Sequence, residues 1–83
     1  MFFVYVIQSL IYPDQIYIVF TKNLKERLAT HNAGRSPHTS RYYPWKLLVY
    51  ISFPEEMTAI AFETYLKTQS GRAFLKKRFI NSN

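Results

Sequence analysis

The chain has 83 residues, with eleven Lys and Arg against five Asp and Glu, which gives a net charge of +6 at neutral pH. This length suits one domain, which we place over residues 1–83, and a composition of 48% hydrophobic and 18% aromatic residues supplies a core and argues against disorder. The absence of Cys excludes a disulfide scaffold, a thiolate zinc site and a thiol nucleophile.

The first elements in chain order are two runs of strand-forming residues, 2–8 and 15–20, separated by a turn that contains Pro-Asp. They predict a β-hairpin, and their nearly continuous apolar character indicates that both faces of the sheet are covered. The opening run lacks a basic start and is too short for a secretory signal or a membrane span. We therefore expect no membrane association and a cytoplasmic location.

A helix is predicted over residues 24–32. Asn23 is a good N-cap, Glu26 stands at the third helical position, and Gly34 follows as a helix stop. Helical spacing of four residues puts Arg27 and His31 on the same face of this helix.

The rest of the chain predicts a loop, a third strand and two further helices. Residues 35–44 form the polar, basic and aromatic loop, residues 45–53 the strand, and residues 54–68 a helix with proline at its first position. Ser70-Gly71 is predicted to break this helix, with Ser70 capping a last helix that runs to residue 80. The order β-β-α-β-α-α predicts an α+β fold with a three-stranded antiparallel sheet flanked by helices.

Several polar and aromatic side chains are ordinary when each is taken alone. Tyr5 and Tyr17 are typical core residues, Arg27 a solvated cation and His31 a surface or capping residue. Glu63 stands in mid-helix, whereas the other acids lie in a turn or at helix starts, and a lone carboxylate there is most often solvated. Their combination along the chain carries more information than each residue does.

That combination resembles a known family. Residues 3–5 (Phe-Val-Tyr) and 17–19 (Tyr-Ile-Val), followed by Arg27, His31 and Glu63 at matching positions, resemble the GIY-YIG nuclease superfamily. Over almost its whole length the chain is similar to the short single-domain bacterial members, which are related to the N-terminal domain of the excinuclease C subunit.

The resemblance implies a metal-dependent endonuclease that hydrolyses phosphodiester bonds in DNA, including structured or damaged DNA, with a role in DNA repair. It implies one Mg²⁺ or Mn²⁺ held by Glu63, because a hard cation binds through a carboxylate, waters and phosphate. Arg27 would brace the charge on the phosphate, Tyr5 with help from Tyr17 would act as general base, and His31 would relay a proton or contact phosphate.

The positive charge favours a polyanionic partner, although a small basic protein can have a high pI for reasons of size alone. We expect nucleic acid as the partner, and DNA rather than RNA. The aromatic residues of the loop either stack on bases or fix the loop to the core. The basic residues predicted to contact nucleic acid are Lys22, Lys25, Arg35, Arg41 and Lys46.

Two positions depart from the family motifs. Phe3 stands where the first motif has Gly, and Val19 stands where the second has Gly. A β-branched residue at position 19 obstructs the site if the backbone needs a positive φ or if substrate passes close above it, and fits well if this is an ordinary strand. Two other readings therefore stay open: a non-catalytic nucleic-acid-binding domain, and a structural module whose basic surface meets an acidic protein.

Overall fold

The computed structural model describes residues 1–80 and contains one antiparallel sheet of three strands, in the order β2-β1-β3, with three helices. This confirms the predicted α+β class and the order β-β-α-β-α-α, while the domain predicted over residues 1–83 ends outside the described residues. Within residues 1–80, the helices are all too short or too polar to cross a membrane. The strands are β1 (Phe2–Ser9), β2 (Ile16–Thr21) and β3 (Trp45–Phe53); the helices are α1 (Leu24–Asn32), α2 (Glu56–Leu66) and α3 (Gln69–Arg78), and a short 3-10 helix spans Ser40–Tyr42.

The central strand β1 has buried residues on both of its faces, as its continuous apolar sequence predicts. Successive side chains of a strand point to opposite faces, so β1 contributes to two separate cores. On one face Val4 and Val6 pack with residues of α2 and α3, and on the other Tyr5 and Ile7 pack with Trp45 and residues of α1. Helices therefore cover both faces of the sheet.

Helix α1 begins and ends as the sequence predicts. The Asn23 side-chain oxygen accepts a hydrogen bond from the Glu26 amide at 3.1 Å, and the Asn23 side-chain amide donates to the Glu26 carboxylate at 3.2 Å. At the other end Gly34 has φ +69°, and the amides of Gly34 and Arg35 donate to the carbonyls of His31 and Thr30, each at 3.1 Å. This Schellman arrangement turns the chain back over the end of α1.

Helix α2 begins two residues later than predicted. Pro54 is not its first residue: Glu55 is an extended N-cap, with φ −120° and ψ 135°, and the helix starts at Glu56. Strand β3 continues to Phe53, which still pairs with Phe2 of β1, so two residues are needed to turn the chain from the sheet into the helix.

The break between α2 and α3 also differs from the prediction. Thr68 rather than Ser70 caps α3, because its hydroxyl accepts the Gly71 amide at 3.1 Å. Gly71 lies inside α3, where a Cβ atom would stand 2.0 Å from the carbonyl oxygen of Tyr65. The glycine does not break a helix here but allows α3 to approach the end of α2.

Helix α3 ends at Arg78, two residues before the predicted end. Helical spacing in the sequence predicts that Phe74, Leu75 and Phe79 face inward. Leu75 is buried and Phe74 is half-buried, which agrees with this prediction, but Phe79 is 39% exposed. Phe79 follows the last helical residue, and the helical spacing used to place it no longer applies there.

Candidate active site

A chain of three hydrogen-bonded side chains lies between β1, α1 and the loop after α1. His31, only 2% exposed in the last turn of α1, has its Nε2 atom 2.8 Å from the Tyr5 hydroxyl and its Nδ1 atom 2.7 Å from the Thr39 hydroxyl. The carbonyl of Thr39 accepts a hydrogen bond from the Trp45 indole at 3.0 Å, which holds the loop against the sheet. Both ring nitrogens of His31 are therefore engaged.

The environment keeps this histidine neutral. Burial lowers the pKa of His31, and the positive charge of Arg27 lowers it further. A neutral imidazole has one donor and one acceptor nitrogen. In the tautomer with the proton on Nδ1, His31 donates a hydrogen bond to Thr39 and accepts one from the Tyr5 hydroxyl at Nε2. This is the tautomer in which Tyr5 can pass a proton to His31.

Tyr5 is wholly covered by its surroundings, with 0% exposure. Burial raises the pKa of the Tyr5 phenol, while the charge and hydrogen bonding of Arg27 oppose that rise. Arg27 itself is exposed on α1, one turn before His31. The structure thus brings Tyr5, Arg27 and His31 together.

Tyr17 lies on the same sheet face as Tyr5 but has separate partners. Its hydroxyl donates to the carbonyl of His38 at 2.9 Å, and its ring centroid is 5.4 Å from that of Trp45. Trp45 is 4% exposed and Tyr42 is half-buried against it. These two aromatic residues fix the loop to the core, while Tyr43 remains 48% exposed.

Glu63 lies apart from the Tyr5–His31 pair, on a helix that covers the opposite face of the sheet. Its carboxylate is 3.1 Å from the Lys67 ammonium. Lys67 and Arg72 also border a cleft of about 270 Å³ that contains Tyr17 and runs along β2, an edge strand of the sheet. The Glu63–Lys67 pair therefore stands across this edge from Tyr17 rather than in contact with Tyr5.

Val19, at the position of the second motif's glycine, is an ordinary strand residue. It pairs with Tyr5 across β1 and β2, and within residues 1–80 positive φ values occur only at glycine. Its side chain is half-buried among the residues around Tyr5. The backbone at this position therefore does not require glycine. The only effect of valine left to consider is the volume that its side chain occupies beside Tyr5.

The basic residues predicted to bind nucleic acid are all exposed: Lys22, Lys25, Arg35, Arg41 and Lys46. Lys22 and Lys25 border a groove beside α1, and the Arg41 guanidinium lies 5.8 Å from the centroid of the Tyr42 ring. Lys46 pairs with Gln8 in the β1–β3 register.

The acidic and histidine side chains that could hold a metal are isolated rather than clustered. In the part of the chain that the structure describes, no three His, Asp or Glu side chains come close enough to form a metal cage. Glu63 is a half-buried carboxylate paired with Lys67, which borders the cleft along β2, and a hard divalent cation that keeps most of its waters needs only one such protein ligand. The donor set fits a hydrated Mg²⁺ or Mn²⁺ better than a metal bound wholly by protein.

Sequence reasoning did not single out Thr39, although it is 1% exposed and completes the chain of hydrogen bonds from Tyr5. It is one of three serine and threonine residues in the loop, with Ser36 and Ser40, and nothing in the local pattern distinguishes it from the other two. Its position depends on the path of the loop after Gly34.

Comparison with known proteins gives two kinds of similarity. The sequence profile of the GIY-YIG catalytic domain matches residues 1–78. The chain is 36% identical over 73 residues to a Giardia intestinalis protein named structure-specific endonuclease subunit SLX1 homolog. This match covers 83% of this chain and 19% of that protein. It is 39% identical over 59 residues to a UPF0213 protein of Streptococcus pyogenes serotype M5, covering 70% of this chain and 64% of the relative. The chain thus spans about a fifth and just under two thirds of these relatives.

Proposed function

Because the chain belongs to the GIY-YIG catalytic domain family, we propose that it is a divalent-metal-dependent endonuclease that hydrolyses phosphodiester bonds in DNA. The observation that carries the proposal is the 2.8 Å hydrogen bond between Tyr5 and His31, formed beside the Arg27 guanidinium. A phenol, a neutral imidazole and a fixed positive charge are the groups needed to deprotonate water near a phosphate.

In the proposed mechanism Tyr5 is the general base and His31 relays its proton. Since burial raises the pKa of Tyr5, the phenol keeps its proton at neutral pH. Tyr5 accepts a proton from the attacking water as its own proton passes to Nε2 of His31, and the water oxygen forms the new bond to phosphorus. The ester bond from phosphorus to the leaving oxygen breaks in the same displacement, and the leaving oxygen takes up a proton from solvent. With both ring nitrogens already engaged, His31 acts as the relay and not as a phosphate contact.

Arg27 has two roles in this mechanism. Its guanidinium lies beside the Tyr5 hydroxyl, where its charge opposes the rise in the pKa of the phenol. The side chain is exposed, so it can also place two parallel donors on the oxygens of a substrate phosphate. One side chain thereby brings the base and the phosphate together.

Glu63 would hold the metal, which when bound supplies charge neutralisation at the phosphate and the leaving oxygen. The Lys67 ammonium pairs with this carboxylate at 3.1 Å, and its side chain is 52% exposed, so it can turn away to solvent or to a phosphate. Tyr17 and Lys67 both line the cleft along β2, at the edge of the sheet.

The test is cleavage of labelled single-stranded, duplex and branched DNA and of RNA with Mg²⁺ or Mn²⁺. We expect Arg27→Ala and Glu63→Gln to abolish cutting while binding, measured in EDTA by fluorescence anisotropy, stays within about threefold. Glu56→Gln is the matched control, since it removes an exposed acid from the first turn of the same helix and should leave cutting intact. Cutting by Glu63→Gln at the wild-type rate would exclude the assigned metal ligand.

The second candidate function is nucleic-acid binding without cleavage, and the half-buried Val19 side chain beside Tyr5 favours it. Cleavage assays of the wild type and of a Val19→Gly variant distinguish the two candidate functions. Wild-type protein that binds but cuts no substrate, together with a Val19→Gly variant that cuts, would assign the loss of activity to this side chain. Cutting by the wild type removes the second candidate.

A further inference from the structure

A groove of about 560 Å³ lies between α1 and β3 on the sheet face that carries Tyr5. Phe3, Leu47 and Tyr50 line it from the sheet, and Leu24 and Leu28 line it from α1. Leu47 is 37% exposed and Tyr50 is 52% exposed, so this apolar surface is open to solvent. Its size is that of a small-molecule pocket and suffices for a nucleotide base.

The floor of the groove is aromatic because of a departure from the family motif. Phe3 stands where the first motif has glycine, and its ring centroid lies 6.3 Å from that of Tyr50, with the two planes inclined at 60°. The Tyr50 ring is supported on one side by Phe3 and is half exposed. A supported, exposed aromatic ring is the kind of platform on which an unstacked base packs.

The border of the groove is basic. Lys25 lines it and is exposed. Lys22 also lines it, but the Lys22 ammonium lies 5.9 Å from the centroid of the Phe2 ring, which packs with the core on the opposite face of the sheet. An apolar, aromatic floor with a cation at its border matches the two parts of a nucleotide, since the base needs a stacking partner and the phosphate needs a positive charge. An acidic peptide would match the border but would not need the aromatic floor.

The groove borders the proposed active site. Tyr50 pairs directly with Tyr5 in the β1–β3 register, and both side chains lie on the same face of the sheet. Residues directly opposite each other on neighbouring strands have Cβ atoms about 4.5–5.5 Å apart. A nucleotide stacked on Tyr50 therefore lies next to the strand position that carries Tyr5.

We propose that this groove binds an unpaired nucleotide next to the cleaved phosphate, with its base on Tyr50, and that the preferred substrate is DNA with a single-stranded segment at the cleavage point. The bases of an intact duplex are paired and stacked, and reach such a floor only after they have been unpaired and unstacked, which costs free energy. The inference rests on the proposed function for the identity of the ligand, and its test needs no cutting.

The experiment measures binding of fluorescein-labelled single-stranded and duplex oligonucleotides to the full chain in EDTA, by fluorescence anisotropy. Tyr50→Ala should weaken binding of the single strand about tenfold and that of the duplex less than about twofold, whereas Tyr50→Phe, which keeps the ring, should bind like the wild type. Tyr12→Ala is the matched control, because Tyr12 is 53% exposed in the β1–β2 turn and outside the groove. A 2-aminopurine base in the single strand should be quenched by the wild type and Tyr50→Phe only.

Other outcomes overturn the inference in distinguishable ways. Equal weakening of single-strand and duplex binding by Tyr50→Ala, or no weakening, rejects the base-binding groove but leaves the nuclease proposal standing. Failure of the wild type to bind either nucleic acid rejects both. A wild-type dimer in sedimentation that Tyr50→Ala dissociates assigns the groove to a second copy of the chain and rejects the nucleotide.

Discussion

His31 links folding to the chemistry of the site, because one buried ring contacts Tyr5 and Thr39 and lies within reach of the Arg27 charge. Protonating it adds a second positive charge beside Arg27 in a region closed to water. Its neutral form is therefore the one that the folded state stabilises, and the same form can accept a proton from Tyr5.

This neutral histidine predicts a pH dependence of stability. Since the pKa of folded His31 lies below its ordinary value of 6.5, the unfolded chain binds more protons than the folded chain between those two pKa values. The free energy of unfolding should therefore fall as the pH drops below about 6.5, with a slope of at most about 1.4 kcal/mol per pH unit from this residue. Urea unfolding between about pH 7.5 and about pH 5.5 measures it.

The two histidines of the chain provide the control for this prediction. His38 is exposed and contributes its backbone carbonyl to Tyr17, so His38→Gln should keep the wild-type slope. His31→Gln should remove that slope in the same interval. An unchanged slope in His31→Gln would show that carboxylates, not this imidazole, cause the loss of stability.

At the scale of residues, the sequence predicted part of the site. Helical spacing placed Arg27 and His31 on one face, and β1 carries Tyr5 to that face. The partner of His31 on its other side, Thr39, depends on the path of a loop, for which the sequence has no periodic signal. The position of Glu63 relative to Tyr5 depends on which sheet face α2 covers, and a pattern along one helix does not specify that.

At the scale of elements, the order of strands and helices followed from hydrophobic patterning, whereas their ends depended on caps. The Asn23 cap was correctly predicted because its side chain and Glu26 satisfy each other within one helical turn. The prediction of Ser70 as the cap of α3 was wrong, because Thr68 lies nearer to the end of α2 and its hydroxyl already accepts the amide of Gly71. Local hydrogen bonds could be predicted, but the tertiary contact that makes Gly71 necessary could not.

Among the elements, the turn at Gly34 determines the path of the loop after α1, and this path brings Thr39 beside His31. Its φ of +69° is unfavourable for a residue with a Cβ atom, and a Cβ there would also lie 3.3 Å from the Tyr43 ring. Gly34→Ala should therefore lower the free energy of unfolding by about 1–2 kcal/mol. Equilibrium urea unfolding measures the change.

Asparagine separates the two causes of this effect. Asn also carries a Cβ atom but tolerates the left-handed conformation better than Ala, so Gly34→Asn should cost less than Gly34→Ala if the backbone conformation dominates. Equal losses in the two variants would assign the effect to the contact with Tyr43. Cleavage, if it depends on the Thr39–His31 contact, should fall in the same order as stability.

At the scale of the whole molecule, positive charge is spread over both sides of a flat body measuring 33 × 30 × 16 Å. Lys25 lies on α1, whereas the Lys22 ammonium lies over the Phe2 ring on the opposite face of the sheet, the face on which α3 packs with Lys76 and Lys77. A net charge of +6 attracts polyanions from any direction, so charge alone does not determine which face binds. The groove and the Tyr5–His31 pair favour the α1 side.

Two single variants with equal net charge test which side binds. Lys25→Gln and Lys76→Gln each lower the net charge from +6 to +5. If DNA binds the α1 side, only Lys25→Gln should reduce the slope of log affinity against log salt concentration, by about 0.7 units for a single strand. Anisotropy titrations from low to moderate salt give both slopes. Equal reductions would mean that the overall field, and not contact with one face, holds the DNA, and a reduction confined to Lys76→Gln would move the binding face to α3.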